Sequence, residues 1–164
     1  RYYLDPECIA MFERQNVYTE AELRSREEIN YETYAKVLHI EALTMIDMVK
    51  KDILPSVSRY IHELSDTALA KKSFAPLSDC SYEEELITKL SLLTGTTYTN
   101  VKALEKALMD AGDITDTTEL AKYYKDAVFA AMNELRIGVD ELETLTDSKI
   151  WPYPSYGDLL FSVK

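Results

Sequence analysis

The segment 37–49 constrains the fold of this 164-residue chain more than any other stretch. Most of its residues are apolar and fill almost every helical position, leaving a narrow polar stripe through Glu41, Thr44 and Asp47. A surface helix needs one apolar stripe, whereas a helix of this kind must be covered on two or more sides. We therefore predict a central helix over about 20–74, on which the rest of the chain packs.

The composition favours long helices in a single domain. Four glycines and five prolines are few for an architecture with many tight turns, and 164 residues suffice for one core. The net charge of −11 disfavours nucleic acid and anionic membrane surfaces as partners. Polar residues interrupt even the central segment, so the chain is not predicted to span a membrane.

Capping signals mark where the first helices begin. Asp5 before Pro6 is typical of an N-cap followed by the first helical position, which predicts a short N-terminal helix. Thr19 and Glu22 match a capping box, so the long helix is predicted to begin there. The apolar rhythm continues beyond Pro55, and we expect that proline to bend the helix rather than end it.

A second long helix is predicted over about 81–111, after a loop that contains Pro76. Ser81 followed three residues later by Glu84 marks its start. Weak helix formers around Gly95 leave open a break at that point. Gly112 is predicted to end the helix as a left-handed cap.

The third long helix is predicted over about 117–146, which completes an all-α antiparallel bundle. Its apolar positions recur at steps of three and four. Small residues at Ala127, Ala131 and Gly138 lie in phase with them, and small side chains let a neighbouring helix approach closely. These three residues are predicted to form a close helix–helix contact.

The residues that could carry chemistry match no established catalytic or metal motif. His62 and Asp66 resemble part of a zinc protease pattern but lack a third ligand, so a solvated pair is the favoured interpretation. His39 on the crowded helix is predicted to be a hydrogen-bonded core residue rather than a catalyst. Cys8 and Cys80 are read as free thiols of a reducing compartment, which favours the cytoplasm.

The tail, residues 147–164, breaks the helical pattern and is predicted to be non-helical. It holds the single tryptophan of the chain and ends in an apolar run, which would form an exposed hydrophobic patch if it stayed free in water. We expect it to dock on the bundle or on a sister subunit; a proline-rich ligand for an SH3-like domain is the alternative. The expected contact residues are Trp151, Tyr153, Tyr156, Leu160 and Phe161.

Three separated segments carry a resemblance to a known family. Residues 40–55, residues 139–145 and the tail, together with residues 22–26 near the front, resemble the carboxyl-terminal region of type III glutamine synthetase, the large bacterial form. The similarity covers nearly the whole chain. It implies that residues 1–164 are a single C-terminal helical domain of a larger enzyme, and the opening residue Arg1 agrees with such a piece.

The resemblance implies a parent enzyme that condenses glutamate and ammonia with ATP and a divalent metal such as Mg²⁺, in large homo-oligomeric double rings. The family's nucleotide, metal and substrate residues belong to the preceding catalytic domain, so no catalytic, cofactor-binding or metal residue is expected here. The expected partners are that catalytic domain and sister subunits, and the expected role is structural, assembly or regulatory. A free-standing helical interaction or ligand-sensing bundle is the alternative.

Overall fold

A computed structural model describes residues 4–154 and 156–161 of the chain, and the all-α class predicted from the sequence is confirmed. Two π-helical turns, Val49–Ile53 and Tyr124–Val128, interrupt the helical stretches 20–74 and 117–145. The α-helices are α1 (Pro6–Arg14), α2 (Glu20–Met48), α3 (Leu54–Phe74), α4 (Ser81–Ala111), α5 (Thr117–Tyr123), α6 (Phe129–Leu145) and α7 (Tyr156–Leu160).

The first two helices begin where the sequence predicted. At the start of α2 the Glu22 amide donates to Thr19 Oγ1 at 3.3 Å, and the Thr19 amide donates to Glu22 Oε2 at 2.8 Å, so the capping box is confirmed. Asp5 takes the N-cap position of α1 with extended backbone, but its side chain forms no capping hydrogen bond. The position of the N-cap was therefore predicted correctly, but the predicted hydrogen bond from the helix amides to the Asp5 side chain is absent in the described structure.

The π turn Val49–Ile53 explains how the chain stays helical through Pro55. A proline inside an α-helix lacks the amide hydrogen and its ring clashes with the carbonyl four residues earlier. Here the Leu54 amide donates to the Val49 carbonyl, five residues back, which widens the helix just before the proline. Pro55 then lies in the first turn of α3, where a missing amide is tolerated.

Helix α4 is continuous through Gly95, so the open alternative of a break is excluded. The helix begins at Ser81, as predicted, but its cap differs: Cys80 is the N-cap residue, and the Ser81 amide donates to Asp79 Oδ1 at 2.9 Å instead of Ser81 and Glu84 forming a capping box. Gly112 follows the helix with a right-handed φ of −64°, so the predicted left-handed cap is wrong.

The expectation that α2 is covered on two or more sides is also wrong. Leu38, Ala42 and Ile46 of α2 face the core, but Ile40 is 63% exposed and Leu43 is 48% exposed on the other side of the same helix. The most extensive helix–helix contact lies between α4 and α6, followed by that between α3 and α4. Helix α4 is thus the element that the bundle surrounds.

Candidate functional site

The first half of the tail docks on the bundle. Trp151 and Tyr153 are half-buried and pack against the core. The Trp151 amide donates to the Asp147 carbonyl at 2.9 Å, and the Tyr153 hydroxyl donates to Asp52 Oδ2 at 2.8 Å. Burial and the nearby Asp52 carboxylate raise the pKa of Tyr153 to about 12, so this hydroxyl remains a donor at neutral pH. The bond ties the tail to the first π turn.

The second half of the tail differs from the prediction. Residues Tyr156–Leu160 form the short helix α7, so a wholly non-helical tail is wrong. Leu160 is 71% exposed and Phe161 is 83% exposed, so neither lies against this chain's own helices. The side chain of Tyr156 lies outside the described part of the structure. Contact of this half with a sister subunit stays a prediction.

Gly138 lies at a close approach of α6 to α4. It is buried, and a Cβ built on it would lie 2.8 Å from Oγ1 of Thr97, a fully buried residue of α4. Ala131 is half-buried against the core, and Ala127 is half-buried one turn earlier in the second π turn. The Thr97 hydroxyl has no hydrogen-bond partner among the described residues.

His39 contacts the second π turn across the bundle. Its Nδ1 lies 2.9 Å from the Tyr124 hydroxyl, and the two rings meet edge to face with centroids 6.2 Å apart. Burial raises the pKa of Tyr124, which keeps the hydroxyl protonated at neutral pH. The predicted hydrogen bond of His39 is confirmed, whereas its side chain is half-buried rather than part of the core, and the contact ties α2 to the second π turn.

An ion pair closes the hairpin of α3 and α4. Lys71 Nζ lies 2.5 Å from Oε1 of Glu83, and the Glu83 side chain is almost fully buried. The second carboxylate oxygen of Glu83, Oε2, has no hydrogen-bond partner among the described residues. The hydrogen bond from Lys71 lowers the pKa of Glu83, and the same bond raises the pKa of Lys71. Lys72 and Glu84 form a second, more exposed pair beside it.

His62 and Asp66 form an exposed pair, with Nε2 and Oδ2 3.5 Å apart, as the solvated interpretation predicted. No three His, Cys, Asp or Glu side chains converge on a metal-sized site within residues 4–154 and 156–161.

The thiols of Cys8 and Cys80 are free. None of the helices in the described part of the chain is long and apolar enough to cross a bilayer.

Two of the clefts that border α2 also border α5. The first, of about 670 Å³, lies between α2 and α5 and is lined by Asn30, Tyr31, Tyr34, Thr118, Ala121, Lys122, Lys125 and Asp126. The second, of about 630 Å³, is more apolar and has the His39–Tyr124 contact in its wall. We call the first one the lysine cleft. No pattern in the sequence indicates this cleft, because its walls come from helices about 90 residues apart, and the hydrophobic period does not determine how those helices are rotated against each other.

These features define a helical domain whose described residues hold no recognised catalytic constellation. Residues 1–72 match the family model for the glutamine synthetase C-terminal domain. Residues 1–72 therefore belong to that family, which confirms the resemblance on which the sequence interpretation depended.

Curated relatives extend the similarity to nearly the whole chain. A glutamine synthetase of Butyrivibrio fibrisolvens is 37% identical over 99% of this chain, and the type-3 glutamine synthetase of Dictyostelium discoideum is 29% identical over 93%. A glutamine synthetase of Bacteroides fragilis is 27% identical over 98%. The chain spans between 21% and 23% of the length of these relatives. It therefore matches one part of a longer type of enzyme.

Proposed function

We propose that the chain is the accessory helical domain of a glutamate–ammonia ligase and that it has a structural, assembly or regulatory role. The observation that carries this proposal is the pattern of similarity: almost all of this chain aligns with glutamine synthetases, yet it accounts for less than a quarter of each. The match to the C-terminal domain model supports the same placement. In this proposal the chemistry belongs to the rest of the parent enzyme.

The parent's Mg²⁺ does not fit the residues described here. Mg²⁺ prefers six oxygen ligands in a near-octahedral arrangement, with carboxylates among them. Among the described residues, Glu83 is a buried acid with one carboxylate oxygen, Oε2, that has no hydrogen-bond partner. Its other oxygen, Oε1, forms an ion pair with Lys71. No catalytic step is therefore assigned to this chain, and we propose that it is inactive when isolated.

The proposed partners are the enzyme's own catalytic domain and sister subunits of a cytoplasmic homo-oligomer. Large apolar side chains that stay exposed in the described structure support such contacts, because they would lose water-exposed surface on assembly. Ile40 and Leu43 lie on the outer side of α2, and Leu160 and Phe161 lie at the tail.

Two measurements test the proposal. The first is the coding frame upstream of Arg1: a long frame that encodes a ligase catalytic domain supports the proposal, whereas a start codon just before Arg1 favours a free-standing interaction or ligand-sensing bundle. The second is the glutamine formed from glutamate, ammonia and Mg-ATP by the purified chain and by the whole enzyme. We expect activity in the whole enzyme alone, and glutamine formation by the isolated chain would contradict the proposal.

A further inference from the structure

Two cations without a carboxylate partner stand on one wall of the lysine cleft. Lys122 and Lys125 are exposed and form no ion pair with any described residue, although many other lysines of this chain pair with an acid. Among the described residues, Asp126 is the acid that lines the cleft. The cleft therefore carries an excess of positive charge in a chain whose net charge is −11. Ammonium groups in such a place attract anions, phosphate groups above all.

The opposite wall of the cleft is aromatic. Tyr31 and Tyr34 of α2 line it, with Tyr34 41% exposed and Tyr31 half-buried. The Tyr31 hydroxyl donates to Glu27 Oε1 at 3.3 Å, which orients that ring. Ala121 adds a buried apolar surface between the two walls. Tyrosine rings pack against other planar rings in stacked or edge-to-face arrangements, so this wall suits a flat organic group.

The second π turn holds the two walls in place. It starts at Tyr124, and Lys125 and Asp126 are its next two residues. The contact of Tyr124 with His39, 2.9 Å long, fixes this turn to α2 on the other side of the helix pair. Single π turns occur frequently at functional sites because they change the direction of side chains within a helix. A volume of about 670 Å³ also lies within the usual range for small-molecule sites.

We propose that the lysine cleft binds a small organic phosphate that carries a planar ring. The phosphate contacts Lys122 and Lys125, and the ring lies against Tyr31 and Tyr34. A phosphate monoester has close to two negative charges at neutral pH, which matches the two ammonium groups. Asn30 and Thr118 supply neutral polar groups at the same cleft. This proposal does not depend on the ligase assignment.

The test is isothermal titration of the 164-residue chain with 1-naphthyl phosphate, inorganic phosphate and 1-naphthol. We expect one site for 1-naphthyl phosphate, with the two partial ligands each binding at least about tenfold more weakly, since each lacks one half of the contacts. Equal affinity for inorganic phosphate would overturn the role of the tyrosine wall. The absence of binding by 1-naphthyl phosphate would overturn the whole proposal.

Matched variants locate the site. The double substitution Lys122→Gln and Lys125→Gln should weaken binding of 1-naphthyl phosphate by about tenfold or more. The control pair Lys102→Gln and Lys106→Gln on α4 makes the same change in net charge and should leave the affinity within about twofold. If both double substitutions weakened the binding of 1-naphthyl phosphate equally, the proposed location of the site would be overturned, because the effect would come from the overall charge. Tyr34→Ala should weaken the binding of 1-naphthyl phosphate but leave the binding of inorganic phosphate unchanged.

Discussion

Oγ1 of Thr97 occupies a position 2.8 Å from where the Cβ of an alanine at position 138 would lie. Both residues are buried, so α4 and α6 approach each other there with no room for even one added methyl group. This close contact between α4 and α6 therefore depends on the missing side chain of Gly138.

Gly138→Ala should destabilise the chain by about 1–3 kcal/mol, because the new methyl group must displace Thr97 in a packed core. Gly95→Ala is the matched control, since a Cβ at that exposed helical position meets nothing within 4 Å. That control should stabilise by about 0.5–1 kcal/mol through helix propensity. Urea unfolding followed by circular dichroism measures both, and equal stabilisation by the two substitutions would contradict the close approach.

Thr97→Val should stabilise the chain by about 1–2 kcal/mol, because valine keeps the shape of threonine and removes a buried hydroxyl without a partner. Thr96→Val is the control. Thr96 is exposed and its hydroxyl donates to the Leu92 carbonyl at 3.1 Å, so its replacement should change the free energy of unfolding by no more than about 0.5 kcal/mol. A loss of stability in Thr97→Val would show that the hydroxyl is hydrogen-bonded in solution.

Trp151→Ala should lower the free energy of unfolding. Replacing a fully buried tryptophan by alanine costs about 3–5 kcal/mol. The loss here should be smaller, because the Trp151 side chain is only half-buried. Phe161→Ala removes a side chain that is 83% exposed and should leave thermal unfolding of the isolated chain unchanged. If Phe161 meets a sister subunit, its replacement should instead weaken assembly of the whole enzyme, measured by analytical ultracentrifugation. Identical melting of all three isolated proteins would contradict docking of the tail through Trp151.

Glu83→Gln should lower the melting temperature at neutral pH by breaking the ion pair with Lys71. The pair lowers the pKa of Glu83 in the folded state below its ordinary 4.5, so its contribution is present above that pH and is lost as the pH falls through the folded value. The difference in melting temperature between the two proteins should therefore shrink as the solution is acidified from neutral pH. Glu84→Gln, in the exposed pair with Lys72, should show a smaller difference at every pH.

The main elements of the fold followed from local signals, whereas the covering of α2 did not. Hydrophobic period, the Thr19 capping box and the tail's aromatic residues depend on neighbours in the sequence, and the elements that they predicted are in the structure. The period at 37–49 showed that this part of α2 is apolar around most of its circumference, but it could not show whether this chain or another surface covers Ile40 and Leu43. In the chain alone, both remain exposed.

The lysine cleft could not be predicted from the sequence, because it too depends on how the helices pack. Lys122 and Lys125 look like ordinary surface residues of an amphipathic helix, and Tyr34 looks like one more packing residue. Their meeting depends on the rotation of α5 against α2, which the second π turn and its bond to His39 fix. Single-sequence patterns predict neither π turns nor contacts that join residues 39 and 124.

Each π turn carries one more residue per turn than the α-helix around it, with bonds such as that from the Phe129 amide to the Tyr124 carbonyl. A chain shortened by one residue at such a turn can close into plain α-helix while the faces before and after it keep their partners. The two turns are therefore places where the length of this domain can change by a single residue without a loop and without a shift of the core. In the second turn, the residue lost can be Lys125 or Asp126, so the same deletion that leaves the bundle intact would erase part of the lysine cleft.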